Sequence, residues 1–183
     1  MRLYEKSDEK LRARKFERLP AVISDLFKHI NKEFHWKIQI EAAQTYDRIG
    51  TDAKTISYLR QALLESPDNV KWKIWLVASR IMLNQGLLEE ARLCIERACL
   101  EVPQKQVSVA MLEYSKYFEI IEENERAFQI MNITKNLSKG EWKIQFEAVM
   151  QRMRCGRFYE AEEMVKESLK THFATGRLWA IYI

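Results

Sequence analysis

The sequence predicts an all-α protein built as an array of antiparallel helix pairs, and three observations predict it. A Trp-bearing segment returns along the 183-residue chain: HWKIQIEAA at 35–43, KWKIWLVAS at 71–79 and EWKIQFEAV at 141–149, with RLWAIYI at 177–183. Trp36, Trp72, Trp142 and Trp179 stand 36, 70 and 37 residues apart, so the middle interval spans two periods. Gly50, Gly86 and Gly156 keep the same step, and each precedes a second amphipathic segment. The composition agrees with this: 47% hydrophobic and 31% charged residues with only five Gly and three Pro favour long amphipathic helices over tight hairpins.

Residues 1–34 fall outside the period and are expected to form an N-terminal helical segment or cap. Asp8–Arg18 is charged and helix-prone, Pro20 interrupts it, and Val22, Leu26, Phe27 and Ile30 offer an apolar stripe. The repeats then divide as 35–69, 70–104, 105–139 and 140–175, with the start of a fifth at 176–183. The third unit lacks the Trp but keeps a helical apolar pattern in QVSVAMLEYSKYF from about residue 106 onwards.

In the second helices a small residue falls five positions after the glycine or its equivalent (Thr55, Ala91, Ala127, Ala161), and another seven later (Ala62, Ala98, Thr134, Ser168). Positions seven apart return to one helix face, and small side chains there let neighbouring helices approach closely, so these residues mark the expected packing seam. Pro67 and Pro103 are expected to stop the second helices, because proline cannot continue the hydrogen-bond ladder. Ser138 and Glu141 have capping-box spacing before the fourth first-helix. The tryptophans are expected to be core anchors, since each buries a large area.

Trp in the first helix, Gly between helices, two small residues and a closing Pro resemble the tetratricopeptide repeat. The segment ARLCIERACLEVP at 91–103 is similar to the half-a-tetratricopeptide (HAT) variety, and the likeness covers about residues 35–183. One departure is that the tryptophans precede the inter-helix residue by 14 positions, about three more than the family pattern has. Trp75, Gln39 and Gln145 stand at the shorter spacing, so each first helix is expected to be about one turn longer than its counterpart in the family. The resemblance implies a right-handed α-solenoid of antiparallel helix pairs. It also implies that first helices line a concave groove, and that the chain is a non-enzymatic scaffold for protein partners, most like those of RNA-processing assemblies.

No chemistry-bearing motif competes with that expectation. The chain has no Gly-rich phosphate loop, nucleophile elbow or His-Glu-x-x-His pair, and His29, His35 and His172 are not spaced with cysteines as a zinc site requires. No catalytic, cofactor-binding or metal site is therefore assigned. Cys94, Cys99 and Cys155 are expected to be reduced core thiols of a nuclear or cytoplasmic protein, the nucleus slightly favoured. Paired acids such as Glu89-Glu90 and Glu162-Glu163 are expected to be solvated charges. No stretch is long and apolar enough for a membrane span.

If the first helices carry the groove, the candidate partner surface is Lys37, Gln44, Lys73, Arg80, Asn84, Lys143 and Arg154. Lysines recurring at one register would attract an acidic or extended peptide, or a phosphate backbone; alternatively each merely extends from beside its Trp to solvent. The net charge of +4 is too small to argue for RNA by bulk field. A regular aromatic stacking partner beside each lysine is also missing, so single-stranded RNA ranks below protein. A tetratricopeptide adaptor outside RNA metabolism is a further alternative. The apolar, unfinished fifth unit is expected to mark a piece of a longer array, or a place for self-association.

Overall fold

A computed structural model of the chain describes residues 17–138 and 140–183. Ten α-helices and no strands occur among these residues: α1 (Leu19–His29), α2 (His35–Ile49), α3 (Asp52–Glu65), α4 (Lys71–Asn84), α5 (Leu88–Glu101), α6 (Val107–Ile120), α7 (Asn124–Leu137), α8 (Trp142–Arg154), α9 (Phe158–Thr171) and α10 (Gly176–Tyr182). The charged segment Asp8–Arg18 lies outside the described residues apart from Glu17 and Arg18. Packing is densest within the pairs α2/α3, α4/α5, α6/α7 and α8/α9, and each pair then packs on the next, as in a tetratricopeptide-like solenoid.

The turn inside each pair is a Schellman motif. Gly50 adopts φ +80°, its N–H bonds the Asp47 carbonyl at 2.9 Å, and the Thr51 N–H reaches back to Tyr46 at 3.0 Å. Gly86 and Gly156 repeat this at φ +76° and +72°. In the third pair Glu122 takes the same left-handed role at φ +63°, with Glu122 N–H to Glu119 and Glu123 N–H to Phe118 at 3.2 and 2.9 Å. The motif is thus conserved in geometry where the glycine is not.

All eight small residues of the second helices are buried, from 0% exposure at Thr55, Ala62, Ala91, Ala98, Ala127 and Thr134 to 6% at Ser168, so the seam lies where their spacing placed it. Pro67 and Pro103 each open a three-residue 3-10 turn, Asp68–Val70 and Gln104–Gln106, from which the next first helix continues directly. The first helices run 13 to 15 residues and the second helices 14. The long Trp-to-turn spacing arises because each Trp sits in the first turn of its helix.

Four expectations are corrected. Ser138 and Glu141 form no capping box: Ser138 ends α7 with its N–H on the Thr134 carbonyl, and the chain turns so that Glu141 itself is the N-cap of α8. On α1 the stripe is rotated. Leu19, Ile23, Phe27 and Ile30 pack against α2, Ile23 is the buried member, and Val22 and Leu26 stay exposed. Pro20, expected to interrupt the charged segment before it, sits in the first turn of α1, where a missing N–H costs nothing. Of the tryptophans only Trp72 is fully buried, pressed between Leu76, Ala98, Val102 and Ala110, whereas Trp36 and Trp142 are half-buried and Trp179 is 42% exposed on α10. The cysteines are free thiols at the margins of the core rather than in it.

Candidate partner-binding surface

Side chains of the first helices α2, α4, α6 and α8 meet one another along one face, and the candidate residues fall into two groups there. Lys37, Lys73 and Lys143 are exposed. The Lys37 ammonium lies 4.7 Å from the Phe34 ring centre and 5.5 Å from that of Trp36, and Lys73 lies 5.4 Å from Trp72. A lysine one residue after a Trp folds back over the ring and presents its charge to solvent, so these two are cation–π pairs within their own helices.

The second group is consumed by pairing between units. Arg80 on α4 grips Glu113 on α6 with two bonds, Nε to Oε2 at 2.9 Å and Nη2 to Oε1 at 2.8 Å. Burial opposes the Glu113 charge, but the Arg80 hydrogen bond and the charges of Lys116 and Arg80 outweigh it and hold this carboxyl below the usual glutamate range. Arg154 on α8 does the same with Glu119 on α6, and its Nη2 also donates to Glu147 at 3.0 Å. Its guanidinium is correspondingly raised, chiefly by the Glu119 hydrogen bond. Asn84 donates to Asp47 of α2 at 3.3 Å, joined by Gln85 at 3.2 Å. Asp47 and Glu119 lie 72 residues apart and Asn84 and Arg154 lie 70 apart, so the same contact is made twice along the array. Gln44 is half-buried on α2.

The two arginines of the candidate surface are therefore paired rather than free. Arg80, Asn84 and Arg154 pair between first helices, while Lys37, Lys73 and Lys143 are exposed. The acids that neutralise them, Asp47, Glu113, Glu119 and Glu147, were the residues missed from sequence. Their only signal is a recurrence of acids on the helix face that carries the bases, 33 to 37 residues away for Asp47, Glu113 and Glu119 and seven for Glu147.

Beneath this face a buried polar chain ties three helices. Gln151 of α8 donates to the Ser115 hydroxyl of α6 at 2.7 Å, which donates to the Ala127 carbonyl of α7 at 2.9 Å. At the outer end of α8, Arg152 lies 3.4 Å from the Phe128 ring centre with Arg157 stacked on the same ring at 4.6 Å. Burial lowers the Arg152 pKa, with Glu160 3.3 Å away acting in the opposite direction. No group of three or more His, Cys, Asp or Glu side chains that could hold a metal occurs among the described residues. No described helix is long and apolar enough to cross a membrane.

A stack of helix pairs joined through its first helices defines a helical-repeat protein of the tetratricopeptide class. The family model described as the PRP6, TPR-like domain matches residues 1–183, and the chain belongs to that family. The match includes the N-terminal segment that the period alone left outside the repeats. No curated protein matches the chain.

Proposed function

We propose that the protein is a non-catalytic scaffold for protein–protein contacts in an RNA-processing assembly, splicing foremost, and that it acts in the nucleus. The observation that carries this is the match to the PRP6 TPR-like domain along the whole chain. The geometry supports a protein partner over single-stranded RNA. Counterion release needs cations free to meet phosphates, and the two arginines of the candidate surface already hold carboxylates of a neighbouring first helix. What those helices offer instead is a set of compensated charges, with Lys37, Lys73 and Lys143 left exposed for an acidic or extended segment.

Affinity capture with the tagged chain from a nuclear extract, with identification of what is retained after nuclease treatment, tests the proposal. Splicing or other RNA-processing proteins are expected to stay bound without RNA. Retention that vanishes with nuclease, together with binding of labelled single-stranded RNA that weakens steeply with salt, would favour the RNA alternative instead.

A further inference from the structure

The groove between α1 and α2 repeats, at a step of 36 residues, a seat that is filled in the next unit. Val22, Ile23 and Leu26 of α1 stand where α3 has Tyr58, Leu59 and Ala62, and Ile38, Ala42 and Thr45 of α2 stand where α4 has Ile74, Ala78 and Ile81. The turns that follow α1 and α3, Lys32–Phe34 and Asp68–Val70, keep the same step, so α1 has the place of a second helix. In the next unit the six counterparts hold α2 itself, which packs Trp36, Ile40 and Ala43 into one cluster with them. Their equivalents around α1 line an open apolar groove of about 310 Å³. That volume is at the lower end of the range of about 300 to 1,000 Å³ typical of ligand pockets. Val22 is 52% and Leu26 41% exposed there, whereas Ala62, the counterpart of Leu26, is fully covered.

We propose that this groove receives an amphipathic helix of a protein partner, whose face repeats the run of Trp36, Ile40 and Ala43; this rests on the scaffold function proposed above. That run is bulky apolar, apolar and small at i, i+4 and i+7, the spacing by which a helix is read in a groove. The occupant follows from continuity with the seat one unit on, which a helix carrying this run fills. Trp72, Leu76 and Ser79 give the run again in α4. Side chains at those places share one helix face, and the small third residue lets the two backbones approach. The chain does not offer the run ahead of α1: residues 1–16 carry nine charged side chains and contain no bulky apolar, apolar, small triplet at that spacing. Lys37 is the member of the candidate surface that lines the groove, at its exposed border. An acidic residue flanking the partner's stripe would meet that ammonium.

The test is a titration of the isotope-labelled full chain with a synthetic peptide of residues 34–50, which carries Trp36, Ile40 and Ala43, read by amide chemical shifts. Saturable shifts centred on Val22, Ile23, Leu26, Ile38 and Ala42 are expected. The same peptide with Trp36→Ala and Ile40→Ala should bind at least about tenfold more weakly, as truncation of buried anchors does. In the chain, Leu26→Glu should abolish the shifts, and Val22→Glu, at the more exposed position, decides the matter should Leu26→Glu not fold. No saturable shifts, as when residues 1–16 themselves hold the seat, would overturn the proposal. So would shifts centred outside the groove, equal binding of the two peptides, or unchanged binding by folded Val22→Glu. Groove shifts that grow with protein concentration alone would give the seat to a second copy and overturn it likewise. Such results leave the capture experiment untouched, and loss of captured partners with intact peptide binding would count against the scaffold function alone.

Discussion

Glu122 holds a backbone conformation that suits glycine. Its three counterparts in the array are Gly50, Gly86 and Gly156, all at positive φ, and at φ +63° an L side chain crowds the neighbouring carbonyl at a cost of about 1–2 kcal/mol. Glu122→Gly removes that crowding but frees the unfolded chain, so a net stabilisation of about 0.5–1 kcal/mol is expected, readable as a higher midpoint in urea at unchanged slope. The thiols make a second prediction at this scale. Burial, with Glu96 adding, pushes Cys99 up to about 11; burial also raises Cys94, with Glu90 adding, and Cys155, with Glu119 adding. Because the folded pKa lies above the unfolded one, the neutral thiol's contribution to stability is complete below pH 9 and is lost as the pH rises from 9 towards 11. At pH 8 the Cys99 thiolate fraction is lower than that of an unperturbed thiol by about two orders of magnitude. Iodoacetamide labelling followed by mass spectrometry is therefore expected to modify Cys99 far more slowly in the native chain than in urea; equal rates would contradict its burial.

At the scale of the element, the joints between first helices are decided by single polar pairs. Glu113 is only 12% exposed and sits between Arg80 and Lys116, so Arg80→Ala leaves a largely covered carboxylate with one cation 3.5 Å away. A loss of about 1–2 kcal/mol is expected once the exposure of Arg80 is allowed for, together with a Glu113 pKa that moves up. Since that pKa is lowered in the folded chain, its stabilisation is present above the ordinary glutamate range and fades in acid, and denaturation of the variant below pH 4 should show a smaller loss than at pH 7. The same pair marks the boundary of what the sequence could disclose. The small residues at Thr55, Ala91, Ala127 and Ala161, and the glycines before them, are local requirements of helix approach and chain reversal, so their spacing is written in the chain. Whether Arg80 faces solvent or a carboxylate depends on how α6 is rotated and shifted against α4, which no local pattern contains. Ile23 and the rotated face of α1 went unread for a related reason: Val22, Ile23, Leu26 and Phe27 offer two overlapping apolar stripes, and only the position of α2 selects between them.

For the molecule as a whole, the decisive property is that each pair shares its apolar faces with the next. Trp72 illustrates it: although it opens α4, it packs on Ala98 and Val102 at the far end of the second unit and on Ala110 of the third. Met82 likewise joins the cluster around Ala43, Leu59 and Ile74 to the one around Ile95 and Tyr117. Stability in such an array is the sum of unit terms and nearest-neighbour interface terms, and a weak interface lowers the stability of units on both sides of it. Trp72→Ala should therefore remove about 3–5 kcal/mol, from lost transfer energy and the cavity left behind, and the loss should fall on two units at once. Hydrogen exchange is expected to accelerate in α4, α5 and α6 together, with the thermal midpoint of the entire chain lowered in one broadened transition. A contrasting substitution is Trp179→Ala on α10, where 42% of the residue is already in water and the indole N–H bonds the Phe173 carbonyl. That change should cost about 1 kcal/mol or less and leave exchange in α4 to α6 as it was. If Trp72→Ala altered exchange in the second unit alone, the interfaces would be passive contacts and the chain would unfold pair by pair. If both substitutions shifted the midpoint equally, burial in a shared interface would not be what distinguishes these two tryptophans.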